Sequence, residues 1–284
     1  MNICFYHNAD HDGKTSAAIV KKVIPDVKLI GINYGDKFPW DSITQEDTVY
    51  MVDFSLEPID RMVHLQSKCG KLIWIDHHIS QIKEAERVGF NPDGIRLVGK
   101  SGCELTWEYL FKEYKCPIII RLLGRYDVWD HSDTRAIICQ YGMLIEDTDP
   151  ENDQLWAAVF NNDEELVKRV FSQGEIIYRY QTVIDEELAK TKIYEINFLG
   201  HNTLIINAPR CSSLLFDSIW DQEKHDLMMC YSIKPEGVSI SFYTDKPGVD
   251  VSILAKRFGG GGHAGAAGCL VKSVTKFLKL IGIE

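Results

Sequence analysis

Short apolar runs alternate with amphipathic stretches through the first 130 residues. Ile3–Tyr6, Val27–Asn33, Thr48–Val52 and Lys71–Ile75 are brief and rich in β-branched or aromatic residues, so each predicts a strand. Thr15–Ile24 and Leu56–Cys69 carry apolar residues at helical spacing, and Ser101–Tyr114 and Pro117–Arg125 predict two more helices. Such alternation is the pattern of a mostly parallel sheet with helices on both faces. Asn152–Lys192 reads as a long, mostly helical region of mixed charge, and Gly174 marks where a break could fall. From about Tyr194 the character changes. Ile196–Ile206 suggests a hairpin, and Asp226–Ile233 and Gly237–Tyr243 read as strands paired around Lys234-Pro-Glu-Gly237. A short helix (Val251–Phe258), a glycine run, a strand (Cys269–Val271) and a helix (Val274–Ile281) follow. The expected fold is α/β. An N-terminal, mostly parallel sheet with its helical connector occupies residues 1–190, and a smaller α+β domain occupies 194–284. No repeat of 20–50-residue period is present.

Composition narrows the function. A net charge of −10 over 284 residues argues against binding long nucleic acid by surface electrostatics. A phosphate-bearing substrate would need local positive charge, most simply bound metal. The eight cysteines are scattered without a CxxC pair, which disfavours a zinc ribbon or disulfide scaffold and suggests a reducing cytoplasm. The N-terminus turns polar too quickly for a signal peptide, and no apolar run approaches the ~20 residues of a membrane span.

Open α/β sheets bind ligands at the carboxyl ends of their strands. Here the first strand runs into His7-Asn-Ala-Asp-His-Asp-Gly13, the third into Asp53 and the fourth into Asp76-His77-His78. Asp127 follows the apolar segment Ile118–Leu123. A lone Asp after a strand is ordinarily a turn or helix cap, and a lone His a hydrogen-bonded core residue. The ordered set is harder to explain that way. Clustered carboxylates repel and are penalised by desolvation, and divalent cations remove the penalty. Mixed oxygen and nitrogen donors suit Mn²⁺, Mg²⁺, Fe²⁺ or Co²⁺, and the ligands suffice for two ions. The helix opening near Gly13-Lys14-Thr15 adds backbone N–H donors. Further on, the four consecutive glycines that open Gly259-Gly-Gly-Gly-His-Ala-Gly-Ala-Ala-Gly268 cannot be a stable helix or strand interior and suggest a phosphate nest, flanked by Arg257 and His263, or else a flexible turn before a strand. Lys14 and Arg125 are weaker phosphate candidates.

The segments His7–Gly13, Val52-Asp-Phe-Ser55, Asp76-His-His78 and Ser101-Gly-Cys-Glu104 resemble the ordered motifs of the DHH phosphoesterase superfamily. The run Gly259–Gly268 resembles the glycine-rich motif of its DHHA1 domain, so the likeness covers both halves of the chain. The resemblance implies one metal site from His7, Asp10 and Asp53, and a second from Asp12, Asp53, His77 and Asp127, with Asp53 bridging. It assigns His78 to the substrate phosphate and Asp76 to orienting the histidines. Arg257, Gly260, Gly261, Gly262 and His263 are implied to hold the rest of the substrate. The fourth acid could be Asp127 or Asp130. The His7-to-Asp10 spacing is nearer the HxxDxDG form of some branches than the longer form of some small-oligonucleotide phosphatases, which leaves the substrate open.

The leading expectation is a cytoplasmic two-metal phosphoesterase, most simply with Mn²⁺, using a metal-bridged hydroxide. Its substrate would be a short oligoribonucleotide, a cyclic dinucleotide or a bisphosphorylated adenosine, bound in a cleft between the domains. An inorganic pyrophosphatase and a non-catalytic nucleotide- or RNA-binding module are the alternatives. A processive exonuclease would need further basic surface. The long helical region could carry a homodimer interface.

Overall fold

In a computed structural model that describes residues 1–209 and 211–283, the chain divides into two compact units, Met1–Tyr178 and Arg179–Glu284. The first unit begins with β1 (Asn2–His7), α1 (His11–Val23), β2 (Lys28–Ile32), β3 (Thr48–Val52), α2 (Asp60–Lys68), β4 (Lys71–Ile75) and α3 (Ile79–Val88). The four strands form a parallel sheet in the order β2-β1-β3-β4. Alternation along the strands sorts their side chains onto two faces. Ile3, Phe5, Val49, Met51, Leu72 and Trp74 join Met62 and Leu65 of α2 and Ala85 of α3 in one core. Cys4, Tyr6, Tyr50, Val52, Ile73 and Ile75 pack on the opposite face with Ala17 and Val20 of α1. Both faces are thus covered by helices, which is why these strands read as continuous apolar runs.

A helical layer completes the unit: α4 (Gly102–Phe111), α5 (Ile118–Asp127), α6 (Thr134–Met143), α7 (Asp153–Phe160) and the part of α8 (Glu164–Thr191) up to Tyr178. Ala18 and Ile19 of α1 share a core with Cys103, Trp107, Ile120, Leu123, Cys139, Trp156 and Val170 from these helices. The break expected at Gly174 does not occur. α8 runs through that position, and the chain turns between Phe160 and Glu164, before α8 begins. Gly174 serves packing: a Cβ there would collide with the carbonyl oxygen of Ile138 in α6, and one at Gly142 would collide with that of Val170 in α8. The pair lets the two helices approach closely. Helices α3 and α6 have no counterpart in the sequence reading.

The second unit holds β5 (Tyr194–Phe198), β6 (His201–Asn207), β7 (Leu227–Lys234), β8 (Gly237–Tyr243), α9 (Val251–Arg257), β9 (Gly261–Gly262), β10 (Ala266–Val271) and α10 (Val274–Leu280). Its sheet has the order β5-β6-β7-β8-β10-β9, with β6 and β7 parallel and the other neighbours antiparallel. One face packs Phe198, Met229, Ile240 and Phe242 against Leu254 of α9 and Phe277 of α10. The glycine run differs from its expected irregular form. Gly261 and Gly262 pair with Gly268 and Ala267 as a short edge strand, and a tight turn is closed by the His263 N–H donating to the Ala266 oxygen at 2.7 Å. Gly262 has φ 137°, which only glycine adopts readily. Cys211 and Cys230 are joined as a disulfide, while Cys4, Cys69, Cys103, Cys116, Cys139 and Cys269 are free thiols. Among the described residues no helix is long and apolar enough to cross a membrane.

Candidate metal centre

The carboxyl ends of β1, β3 and β4 bring the expected residues together in the first unit. His7 is the last residue of β1, and Asp10 caps α1, its Oδ1 accepting the Gly13 N–H at 3.0 Å. Because α1 starts at His11, Asp12 lies in its first turn and is buried. The Asp12 carboxylate is gripped from elsewhere: it accepts the N–H groups of Gly102 and Cys103, each at 2.7 Å. These are free amides at the start of α4, where the helix end favours negative charge. Ser101 caps that helix by accepting from the Glu104 N–H.

Asp53 stands immediately after β3 with φ 51°, a left-handed backbone that costs an ordinary residue energy. Its N–H donates to the Ile75 oxygen at 2.9 Å, which ties the turn to β4. The residue is 1% exposed. Gly102 makes room for it, since a Cβ at that position would lie 2.6 Å from the Asp53 Cβ.

The Asp76-His77-His78 run divides its labour. Asp76 is fully buried, and its Oδ1 accepts from the N–H groups of His77 (2.7 Å) and His78 (3.1 Å) and from His78 Nδ1 (2.6 Å). Its Oδ2 accepts from the indole N–H of Trp74 at 3.0 Å. This orients the His78 ring. His77 points the other way, with Nε2 at 3.2 Å from Asp53 Oδ1, 3.4 Å from Asp127 Oδ2 and 3.7 Å from Asp12 Oδ2.

Asp53 belongs to three groups of closely spaced ligand atoms, one of them with Asp76 and His78. His7, Asp10 and Asp53 offer ligand atoms within 4.8 Å of one another, and Asp12, Asp53 and His77 do the same. Asp127, at the end of α5, approaches the second group through His77. Asp130 is instead held by Arg125 and Ser132. Arg125 spans Asp130, Asp133 and Ser132, so its charge is already engaged. Arg257 ends α9 as an exposed residue, and Gly260, Gly261, Gly262 and His263 belong to the glycine hairpin of the second unit.

The electrostatics of the first-unit cluster are set by burial and by the charges its members place on one another. Burial, and then the Asp12 carboxylate, push the carboxyls of Asp53 and Asp127 well above their usual range. Burial would lower the His7 pKa, but the carboxylates of Asp10 and Asp53 outweigh it and raise it to about 10. His77 is likewise raised, with Asp127 and Asp12 outweighing its burial. For Asp76, burial is outweighed by the charge and hydrogen bonds of His78, and its pKa falls to about 2. His7 Nδ1 lies 2.8 Å from Asp10 Oδ2 without hydrogen-bond alignment. Asp53 Oδ1 and Asp127 Oδ2 are also buried without a hydrogen-bond partner. Such atoms carry a penalty unless something coordinates them. Carboxylate oxygens and imidazole nitrogens at this spacing fit a divalent cation of the Mn²⁺ or Mg²⁺ kind.

Sequence reasoning passed over three contributors. The amides of Gly102 and Cys103 hold Asp12, and the signal was the Ser101-x-x-Glu104 capping box. Trp74 anchors Asp76, although an indole in a core strand carries no mark of that role. Tyr34 lies against His7, Phe54 and His78, with nothing in its neighbourhood to announce it.

Residues 2–124 match the DHH family, N-terminal domain. The chain is 26% identical to the oligoribonuclease NrnB of Bacillus subtilis (strain 168) over 80% of its length and 60% of that protein's. The pGpG-specific phosphodiesterase PggH of Vibrio cholerae superposes with a TM-score of 0.50 at 13% identity, covering 98% of this chain and 96% of that one. The exonuclease RecJ bound to manganese superposes with a TM-score of 0.51 at 13% identity, covering 98% and 88%. These structures share the fold.

Proposed function

We propose that this chain, a metal-dependent phosphoesterase whose residues 2–124 form a DHH family N-terminal domain, hydrolyses phosphoester bonds of short nucleotides with two divalent cations, most simply Mn²⁺. The observation that carries the reading is Asp53. It is buried, held in a left-handed turn, common to the His7–Asp10 and the Asp12–His77 groups of ligand atoms, and leaves Oδ1 without a hydrogen-bond partner. His7, Asp10 and Asp53 would hold one ion, and Asp12, Asp53, His77 and Asp127 the other. When bound, such ions polarise a phosphoryl oxygen and lower the pKa of water. The chain's own residues do the rest. The α4 amides fix the Asp12 carboxylate, and Asp76 orients the His78 ring through Nδ1; His78 is proposed to face the substrate phosphate. Arg257, Gly260, Gly261, Gly262 and His263 are proposed to contact the remainder of the nucleotide.

A short substrate is supported by the net charge of −10, which gives a long polyanion nothing to bind. The activities of the Bacillus oligoribonuclease and the Vibrio pGpG phosphodiesterase point the same way. The test is to incubate protein purified with Mn²⁺ with short RNA, linear and cyclic dinucleotides and a bisphosphorylated adenosine, and to identify the products. Turnover by the wild type, and a loss of about 100-fold or more in Asp53→Ala, is expected. Equal inactivity of both proteins on every phosphoester, with and without metal, would remove the reading.

A further inference from the structure

We propose that Tyr34 is a stacking platform for the nucleobase next to the cleaved phosphate, an inference that rests on the phosphoesterase reading above. Tyr34 lies two residues beyond β2. Its ring centroid is 4.7 Å from that of Phe54, 5.7 Å from that of His7 and 6.5 Å from that of His78. Phe54 is 2% exposed and forms a fixed wall, and His7 and His78 meet the Tyr34 ring edge to face, at 63° and 76°. Three aromatic neighbours therefore hold the ring in place, yet 46% of Tyr34 remains exposed.

Exposure alone would mean little, since single exposed aromatics are ordinary. Position gives it meaning. Tyr34 touches a residue of the proposed metal set (His7) and the residue proposed to meet the phosphate (His78). A phosphate bound there carries its nucleoside within reach of the ring. The side chain is a neutral aromatic ring. It offers a second phosphate little and a planar base a great deal, because every base has a π-face. Preorganisation adds to this: a ring already held by Phe54 and two histidines loses little freedom when a base covers it. Tyr34 is thus a positioning residue that favours nucleotides over base-free phosphoesters such as pyrophosphate.

The test compares a diadenylate with a dinucleotide of the same backbone lacking both bases, using full-length wild type, Tyr34→Ala, Tyr34→Leu and Tyr34→Trp with Mn²⁺. The readout is KM and kcat where hydrolysis occurs and the calorimetric Kd where it does not. Failure of the phosphoesterase reading therefore leaves the stacking inference tested on its own. The wild type should prefer the base-bearing ligand on the order of 5- to 100-fold. In Tyr34→Ala and Tyr34→Leu that preference should collapse to about twofold or less through KM or Kd, with kcat little changed, and Tyr34→Trp should keep it. An alanine variant that keeps the preference overturns the proposal. So does one that weakens both ligands equally, because the ring would then serve only to pack the histidines.

Discussion

Replacing Asp53 by Asn keeps the side chain's shape and removes one charge where the two ligand groups meet. The effect on the metal-free protein follows from the neighbours. His77 Nε2 is 3.2 Å from Asp53 Oδ1 and His7 Nδ1 is 3.8 Å from Oδ2. With both imidazoles protonated and an effective dielectric of about 20, each attraction is worth about 4–5 kcal/mol. Asp10 and Asp12 each offer a ligand oxygen within 4.8 Å of one on Asp53. Each repels it by about 3.5 kcal/mol or more, and Asp127 adds to the repulsion. The two sets nearly cancel, and burial, which raises the Asp53 carboxyl well above its usual range, further weakens the carboxylate, so Asp53→Asn should cost the metal-free protein no more than about 2 kcal/mol. With metal the outcome differs. A ligand at 1,000 times its Kd stabilises the wild type by about 4 kcal/mol, and loss of the shared carboxylate should abolish most of that increment. Thermal unfolding with and without Mn²⁺ measures both numbers. A variant that loses more than about 4 kcal/mol without metal, or gains as much from Mn²⁺ as the wild type, would refute the charge balance at Asp53.

Four further outcomes are expected. Gly102→Ala should displace Asp53, since the new Cβ would lie 2.6 Å from its Cβ and 2.8 Å from Oδ1; Mn²⁺ affinity, read by calorimetry, should fall about 10-fold or more. The metal-free protein should lose stability as pH rises from 6.5 through about 10, because folding raises the His7 pKa from 6.5 to about 10 and that stabilisation is complete only below 6.5. Metal affinity should rise over the same window, as binding must displace the His7 proton, and calorimetry in buffers of different ionisation enthalpy should detect its release. Trp74→Phe should cost about 1–3 kcal/mol in denaturant unfolding, because Asp76 Oδ2 loses its indole donor, and should slow turnover about 10- to 100-fold through the unanchored His78. Unchanged turnover would mean that Asp76 needs no such anchor.

Much of the first unit was legible because its strands are covered on both faces. Lys71–Ile75 and Thr48–Val52 stand out as apolar runs, and the observed strands have the same bounds. The helices were less legible. α3 lies in a polar stretch whose apolar residues recur only at Ile79, Ile82, Ala85 and Val88. Local propensity also misled at Gly174, where the glycine accommodates the backbone of α6 instead of interrupting α8. The glycine run failed in the opposite direction: entropy disfavours four glycines in a strand, but pairing with β10 recruits two of them.

By itself, the chain determined that acids and histidines follow three apolar strands. A parallel sheet brings the carboxyl ends of such strands to one edge, so their convergence follows from pattern alone. Tertiary structure decided how each member is held. The grip on Asp12 comes from amides 90 and 91 residues away. The left-handed turn at Asp53 is fixed by β4 and by the space that Gly102 leaves, and the exposed ring of Tyr34 is fixed by Phe54, His7 and His78. These contacts join positions with no local signature in common. Hydrogen bonds, steric room and ring packing act over a few ångströms in space, whatever the distance along the chain.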